Sequence, residues 1–264
     1  MKLIYIVALR AEAEPLIKYY KLRRLMNHQA FEIYKHPKQD IYLAISGIGM
    51  LAASSMTAYL AGKDLLSKQS LLINLGIAGG KNWSLGELIL IAKASSEIAK
   101  QNFYPTKFFK TNLTEAALLT VSKVPSTYPE QQLLDMEFYA IYAAAKYFIS
   151  SEQIQSLKII SDKQQADIND LTKEKIEQLI ANKLLEITKF AEQLWQAIKQ
   201  EAIYQDYPPY LAELTKLVHF SKTQQHQLEK LLITLANQEQ KLNIAELSAL
   251  NHPKKIIAKL TSYV

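Results

Sequence analysis

Short apolar runs that alternate with helical patterns are the feature that most constrains how this chain folds. Several of the runs are rich in Ile and Val, which suits strands that are buried on both faces of a sheet. The runs occupy residues 2–9, 41–46, 71–75, 87–93, 117–122 and 156–161, and helical patterns lie between them at 12–24, 50–67 and 137–149. Strands that alternate with helices predict an α/β fold, here a three-layer α/β/α domain around a central mixed sheet.

The chain changes character at about residue 170. From there the helical spacing of apolar residues continues without Gly or Pro until Tyr207-Pro208-Pro209, where a helix must end. Two further apolar faces follow, formed by Leu228, Leu231, Leu232 and Leu235, and by Ile244, Leu247 and Leu250. We therefore predict an α/β domain over residues 1–190 and a C-terminal helical extension over 191–264. Because the extension carries no chemical motif, we expect a packed appendage or an oligomer contact rather than a catalytic unit.

Composition and residue spacing exclude several kinds of metal and redox site. The 264 residues include no cysteine, which excludes disulfides and thiolate metal sites and fits a reducing compartment. The histidines have no metal-binding spacing, so we expect neither a metal centre nor another cofactor. They are His28, His36, His219, His226 and His252.

Charge and hydropathy narrow the partners that we expect. The formal charge of +6 is spread along the chain, apart from a cluster at Lys18, Lys21, Arg23 and Arg24. We interpret this cluster as a solvated helix end rather than a nucleic-acid surface. The N-terminal sequence lacks a signal-peptide pattern, and no apolar stretch reaches the length of a membrane span. The sequence thus predicts a soluble cytoplasmic protein without nucleic-acid or membrane partners.

All seven glycines fall between residues 47 and 86. Ser46-Gly47-Ile48-Gly49 follows one predicted strand and precedes a helix, and Gly76-Ile77-Ala78-Gly79-Gly80 follows another strand. Glycine at such turns lets a ligand approach main-chain N–H groups, although tight strand-to-helix turns alone would explain it equally well. Neither stretch matches a dinucleotide fingerprint or a Walker loop.

Three carboxylates occupy comparable positions, at or just beyond the ends of predicted strands. They are Glu12, Glu137 and Asp162. A single carboxylate in such a position is usually a helix cap, and this alternative stays open for Asp162. Three of them near glycine turns indicate a pocket in which a carboxyl group acts as general acid or base.

Five short motifs occur in an order and spacing that resemble the nucleoside phosphorylase superfamily. They are Ala8-Leu9-x-x-Glu12, Ser46-Gly47-Ile48-Gly49, Asn74-Leu75-Gly76-Ile77-Ala78-Gly79-Gly80, Asp135-Met136-Glu137 and Ile160-Ser161-Asp162. Within this superfamily the chain looks most like the 5′-methylthioadenosine/S-adenosylhomocysteine nucleosidases. The resemblance spans roughly residues 1 to 190, and its weight lies in the order of the motifs, because each motif alone is weak.

The resemblance implies an enzyme of purine nucleoside metabolism and methionine salvage that cleaves an N-glycosidic bond. It implies that Asp162, oriented by Ser161, supports protonation of the departing base. Glu137 would hold the ribose hydroxyls, and Glu12 would orient and deprotonate the attacking water. Met136 would pack beside the sugar or base, and the backbone around Ala78 and Gly79 would line the pocket. Family members are commonly dimers or hexamers, so the resemblance also implies a homo-oligomer, for example a dimer.

The same motifs bear on whether water or phosphate attacks the sugar. Phosphorylases commonly have an arginine at the position of Asn74, so this chain favours water. Two further positions depart from the nucleosidases, which have a serine at Ile77 and an arginine at Lys158; we place both residues among the substrate contacts. A lysine keeps the charge without the planar fork, and an isoleucine side chain donates no hydrogen bond. Arg10 is either a cation near Glu12 or, as we favour, a member of a surface salt bridge.

The aromatic residue that would cover the base cannot be assigned from the sequence. Phe103, Tyr104 and Tyr128 are candidates, although each is also typical of core or surface packing. Trp83 would either close the pocket or fill the core. Two alternatives to the hydrolase stay open: a nucleoside phosphorylase, and a nucleoside-binding protein of the same fold with little or no turnover.

Overall fold

The computed structural model describes residues 1–26, 30–107, 109–205, 210–237 and 242–263. His28 and the Tyr207-Pro208-Pro209 helix stop lie outside the described residues. The chain forms two compact units, Met1–Trp195 and Gln196–Val264. This division lies a few residues from our predicted boundary after residue 190, which stays a prediction. No helix among the described residues is both long and apolar enough to cross a bilayer.

The first unit is built on a mixed β-sheet. Its strands are β1 (Lys2–Val7), β2 (Arg23–Arg24), β3 (Glu32–Lys35), β4 (Ile41–Ile45), β5 (Ser70–Gly79), β6 (Leu88–Ser96), β7 (Ala99–Phe103), β8 (Thr114–Thr120), β9 (Gln132–Asp135) and β10 (Ile154–Asp162). All six predicted runs form strands, and the mixed sheet is confirmed. The strands β2, β3, β7 and β9 are additions, since they are short or carry mostly polar residues and so lack a continuous apolar run.

The strand order brings several carboxyl ends to one place. β5 pairs in parallel with β1 on one side and β10 on the other, and β4 pairs in parallel with β1. β10 also pairs with β6, β6 pairs with β8, β8 pairs with β9, and β9 pairs with β5. These five strands therefore form a closed ring of pairings. β5 and β9 meet near their carboxyl ends, where Gly79 pairs with Leu134.

Helices cover both faces of the sheet, which confirms the three-layer architecture. They are α1 (Arg10–Tyr20), α2 (Met50–Gly62), α3 (Phe138–Ala145) and α4 (Lys173–Asn182), with short 3₁₀ segments at Ser151–Gln153 and Gln165–Asp170. The next helix, α5 (Leu184–Gln205), begins in the first unit and ends in the second. Alternate residues of β1 face opposite layers. Ile4 and Ile6 pack in the core that contains Met56 of α2, whereas the Tyr5 ring lies next to Tyr20 of α1.

The second unit is helical, as predicted for the extension. Beyond the end of α5 it contains α6 (Tyr210–Leu217), α7 (Lys222–Asn237), α8 (Ile244–Ala249) and α9 (Pro253–Thr261). The two predicted apolar faces contribute to one core rather than two. Its buried members are Leu214, Val218, Phe220, Leu228, Leu232, Leu235, Leu247, Ile256 and Leu260.

The structure changes our interpretation of two short stretches. Lys18 lies in the last turn of α1 and Lys21 caps it, as expected of a helix end, but Arg23 and Arg24 form the exposed edge strand β2. Cations on an edge strand oppose pairing with further strands. The other stretch is Gly76-Ile77-Ala78-Gly79, which forms the last part of β5 rather than a turn.

Candidate functional site

A cavity of about 190 Å³ opens where β1, β4, β5, β9 and β10 end. Ligand sites of layered α/β proteins commonly lie at the carboxyl ends of strands. The three predicted catalytic carboxylates, Glu12, Glu137 and Asp162, all line this cavity, although they are far apart in the sequence. Each is at most 8% exposed, so each side chain needs hydrogen-bond partners within the protein.

Glu12 lies in the first turn of α1 and is held by main-chain donors. Its Oε2 accepts from the N–H groups of Ala8 and Leu9 at 2.9 Å each, and its Oε1 accepts from Ile77 N–H at 2.9 Å. Burial raises the pKa of Glu12 above its ordinary value, while these donors and the charge of Lys158 act in the opposite direction. The carboxyl group is therefore rigidly placed and binds a proton more readily than an exposed glutamate.

Glu137 lies two residues after the last residue of β9 and reaches the glycine turn after β4. Its Oε1 accepts from Gly49 N–H at 2.8 Å. Gly49 has a φ of 97°, a left-handed conformation that an L side chain rarely adopts and that aims its N–H at the carboxylate. Burial, together with repulsion from Asp135, raises the pKa of Glu137 to about 7. Glu137 can thus change its charge near neutral pH.

Asp162 ends β10 and contacts two hydroxyl groups. Ser161 donates to its Oδ1, and Tyr128 donates to its Oδ2. The pairing with β5 shifts register between Ile160 and Asp162, so the strand is irregular at Ser161. Such an irregularity redirects side chains, and here Ser161 and Asp162 both line the cavity although neighbouring strand residues normally face opposite ways.

A buried ion pair between Lys158 and Asp135 lies next to the carboxylates of the cavity. Lys158 Nζ lies 2.8 Å from Asp135 Oδ2, and both side chains are at most 1% exposed. Asp135 also accepts from the Thr120 hydroxyl at 2.6 Å and from Phe138 N–H at 2.8 Å. Burial alone would lower the pKa of Lys158, but Asp135 and then Glu137 outweigh it and raise that pKa above its ordinary value. Lys158 is therefore a fixed positive charge among acidic groups.

Two glycines of β5 make room for these carboxylates. A Cβ on Gly76 would lie 2.8 Å from Glu12 Oε1 and 3.5 Å from Lys158 Nζ. A Cβ on Gly79 would lie 2.8 Å from Asp162 Oδ2 and would overlap the Tyr128 ring. Neither glycine has a positive φ, so the requirement is for space rather than for a turn.

The predicted substrate contacts fall into two groups. Ile77, Ala78, Gly79, Met136 and Ser161 line the cavity. Lys158 does not belong to the cavity wall: its ammonium group lies behind the wall, on Asp135. We accordingly replace its predicted role as a substrate contact with a proposed role in holding the acidic groups.

Several other candidates lie away from the cavity. Arg10 forms the surface salt bridges that we favoured, but with Glu14 and Glu32, at 3.1 Å each, rather than with Glu12. Phe103 is buried against Tyr139 and Tyr142. Tyr104 is exposed, and Trp83 packs against the core.

Asn74 also has a structural role in this protein. Its amide donates to the carbonyl of Ile6 and accepts from the Ser156 hydroxyl, so it joins β5 to β1 and to β10. Its side chain is thereby occupied inside the sheet and does not line the cavity.

Sequence reasoning did not assign a role to Asp135 and left Tyr128 as one of three aromatic candidates. Asp135 was detectable, since it belongs to the same short motif as Glu137. Tyr128 was not, because only the fold brings residue 128 next to Asp162. Among the described residues, no group of three or more His, Cys, Asp or Glu side chains is arranged to hold a metal ion.

The fold and the site define a class: an α/β/α protein with a carboxylate-lined cavity at the ends of its strands. By sequence, the chain matches no protein-family model and no curated protein. By structure, it is similar to 5′-methylthioadenosine/S-adenosylhomocysteine nucleosidases. One, from S. pneumoniae with a transition-state inhibitor, has a TM-score of 0.58 and 17% identity over 72% of this chain and 98% of its own.

Two other solved structures show the same likeness. The nucleosidase from Neisseria meningitidis, in complex with methylthio-immucillin-A, has a TM-score of 0.57 and 17% identity over 72% of this chain and 99% of its own. The futalosine hydrolase of Helicobacter pylori strain 26695 has a TM-score of 0.56 and 12% identity over 72% of this chain and 97% of its own. The chain therefore has the fold of the 5′-methylthioadenosine/S-adenosylhomocysteine nucleosidases, which confirms the sequence resemblance at the level of fold.

Proposed function

We propose that this protein is a purine nucleoside N-glycosidase that uses water to cleave 5′-methylthioadenosine or S-adenosylhomocysteine-like nucleosides. The observation that carries the proposal is the meeting of Glu12, Glu137 and Asp162 around one cavity. Cleavage of the bond between sugar and base creates positive charge on the sugar and negative charge on the base. Carboxyl groups fixed around one cavity are suited to both charges, because a carboxylate stabilises the positive sugar and a protonated carboxyl group supplies a proton to the negative base.

Each carboxyl group receives a role that fits its position. Asp162, at the end of β10 with Ser161 and Tyr128, supports protonation of the departing base. Glu137, next to the turn at Gly49, accepts hydrogen bonds from the ribose hydroxyls and stabilises positive charge on the sugar. Glu12 orients water and takes its proton, a role that its raised pKa favours because the acceptor must bind that proton.

The cavity wall favours water over phosphate as the nucleophile. No Lys, Arg or His occurs among the described residues that line it, whereas four carboxylates do, namely Glu12, Asp135, Glu137 and Asp162. A phosphate dianion would be repelled there, since phosphate sites in proteins usually supply cations or free N–H groups at helix N-termini. Here the N–H groups of Ala8 and Leu9 are bonded to Glu12. Lys158 offers no compensation, because its ammonium group is paired with Asp135 behind the wall.

The remainder of the wall supports an uncharged substituent on the sugar. Ile48, Val124, Met136, Ile168 and Leu171 line the cavity around the carboxylates. Apolar walls with a few polar groups are typical of small-molecule sites. A methylthio group suits such a wall better than a charged substituent, which supports methylthioadenosine as the first substrate to test.

A binding protein without turnover is the second candidate, and Ile77 is the observation that favours it. The Ile77 side chain lines the cavity where the nucleosidases have a serine, so it provides no hydroxyl group near the proposed water. Its main-chain N–H nevertheless holds Glu12. Tight calorimetric binding of an adenosine analogue, with no release of base from any nucleoside, would support this candidate instead.

The decisive variant for the hydrolase is Asp162→Asn. We expect purified protein to release free adenine from methylthioadenosine, and Asp162→Asn to lower that rate by about 10²-fold or more, since loss of a general acid typically costs 10²–10⁴. The matched control is Asp40→Asn, which alters an exposed carboxylate paired with Lys35 at the opposite end of β4 and should keep the full rate. Equal rates in the three proteins would contradict the assignment.

A further inference from the structure

Tyr128 is placed to take part in the chemistry, and the roles above leave its hydroxyl group unexplained. The side chain is 4% exposed and lines the cavity beside Asp162. Its ring packs in a small cluster with Val121 and Leu134, apart from the main core. Gly79 has no side chain at the point where the ring crosses β5, so the strand itself accommodates Tyr128.

The contacts of Asp162 restrict how its carboxyl group reaches a ligand. Oδ1 accepts from the Ser161 hydroxyl, which also lies 3.3 Å from the Ala78 carbonyl, and Oδ2 accepts from the Tyr128 hydroxyl. The Tyr128 hydroxyl thus lies on the carboxyl oxygen that Ser161 leaves free. Burial and the nearby Asp162 raise the pKa of Tyr128, so its oxygen carries a proton at neutral pH.

We propose that Tyr128 is a catalytic residue that relays the proton from Asp162 to the departing base. This inference rests on the proposed function and adds a residue to it. In the relay, the Tyr128 hydroxyl donates to a ring nitrogen of the base, while the protonated Asp162 donates to the Tyr128 oxygen. Both groups already contact each other in the cavity. The relay needs a base within reach of the phenol and a proton on Asp162 Oδ2, which reverses the hydrogen bond between the two groups.

The relay balances in atoms and charge. The bond from the sugar carbon to the base breaks, and its electron pair goes to the base. The base takes the Tyr128 proton, Tyr128 takes the Asp162 proton, and Asp162 is left as a carboxylate. The sugar carbon gains the oxygen of a water molecule, whose proton passes to Glu12. Exchange with solvent then returns one proton to Asp162 and removes one from Glu12.

A change of leaving group tests the relay. Two substrates with the same methylthioribose are compared: methylthioadenosine, whose base must be protonated, and the 4-nitrophenyl glycoside, whose 4-nitrophenolate leaves without a proton. We expect Tyr128→Phe to lower kcat on methylthioadenosine by about 10²-fold, a typical loss for proton-transfer catalysis, but on the glycoside by less than about threefold. Asp162→Asn should show the same selective loss. The control Tyr104→Phe, at an exposed tyrosine, should alter neither rate.

The outcomes separate this inference from the proposed function. Equal losses on both substrates would mean that Tyr128 only shapes the cavity, and no loss on either would mean that Asp162 reaches the base directly; each result overturns the relay while leaving the hydrolase intact. Release of neither product by wild-type protein overturns the proposed function, and the relay with it.

A second variant covers the case in which Tyr128→Phe does not fold. Replacement of Tyr128 by 3,5-difluorotyrosine keeps the ring and provides a more acidic phenol. The relay then predicts that the fall of kcat on methylthioadenosine at alkaline pH occurs at lower pH than in wild type, and a fall at an unchanged pH overturns the relay.

Discussion

Burial and a charged neighbour strongly shift the proton affinity of the Glu137 carboxyl group. Its pKa of about 7, against an ordinary 4.5, results from burial and from the neighbouring Asp135. The folded protein therefore holds this proton more tightly than the unfolded chain does. The stabilising contribution of Glu137 is complete below about pH 4.5 and is lost as the pH rises through about 7.

Glu137→Gln should remove this pH dependence, since glutamine resembles the protonated carboxyl in shape and charge. We expect the free energy of unfolding of the variant, relative to wild type, to rise between pH 5 and pH 8 by about 1–3 kcal/mol, given roughly 1.36 kcal/mol for each unit between two pKa values. Urea unfolding of both ligand-free proteins at pH 5 and pH 8 measures this difference in the free energy of unfolding. A difference that does not change with pH would contradict the environment described for Glu137.

Individual site residues were predictable to the extent that their neighbours in the sequence revealed them. Glu12 and Asp162 follow apolar runs, Glu137 belongs to the short Asp135-Met136-Glu137 motif, and the structure brings all three carboxylates to one cavity. The location of Lys158 was not predictable, because residues in a fully buried strand give no sign of which face meets a ligand. The pairing of Lys158 with Asp135 depends on two strands that are distant in sequence.

At the scale of elements, the strand β5 determines how closely the side chains of the site can approach one another. Its glycines were predicted to form a turn, because Gly-rich segments after an apolar run commonly do. The segment is instead a strand whose missing side chains leave space for Glu12, Asp162 and Tyr128. Sequence alone cannot separate these cases, since the atoms that need the space come from other elements.

Gly76→Ala tests this account of β5. The new Cβ would lie 2.8 Å from Glu12 Oε1, and three main-chain N–H groups prevent that carboxyl group from moving freely. We expect loss of about 1–3 kcal/mol of stability, as for other overpacked sites, and at least about a tenfold fall in adenine release, since misplaced catalytic groups are costly. Calorimetric melting measures the loss of stability, and the adenine assay measures the fall in rate.

Gly62→Ala is the matched control for this change. Gly62 ends α2, and no atom outside its chain neighbours and the α2 backbone lies within 4 Å of the position of its missing Cβ. Its φ is not positive. Alanine there should leave activity unchanged and stability equal or up to about 1 kcal/mol higher. Wild-type activity in both glycine variants would show that β5 does not need the space.

At the scale of the whole molecule, the residues that line the cavity all lie between Ala8 and Leu171, within the first unit. The architecture of both units was predictable from apolar periodicity, because periodicity reflects burial within each element. The closed ring of β5, β10, β6, β8 and β9 was not predictable, since strand order depends on contacts between distant elements.

Deletion of residues 206–264 tests whether the second unit has a catalytic role. Because it retains α5 and every cavity residue, we expect the shortened protein to release adenine at a rate close to that of the full chain. Its mass in solution, compared with that of the 30.0 kDa full chain, shows whether the extension holds together the homo-oligomer that the sequence resemblance implies. Loss of activity in a folded shortened protein would assign the second unit a part in the site.

The measurement that tests the central claim most directly is product analysis after incubation of the purified protein with methylthioadenosine, with and without phosphate. Chromatography would quantify adenine, and mass spectrometry would identify the sugar. The carboxylate-lined cavity predicts free adenine and an unphosphorylated methylthioribose at the same rate in both buffers. Adenine that appears only with phosphate, together with a sugar 1-phosphate, would show a phosphorylase, and no adenine in either buffer would contradict catalysis of this reaction.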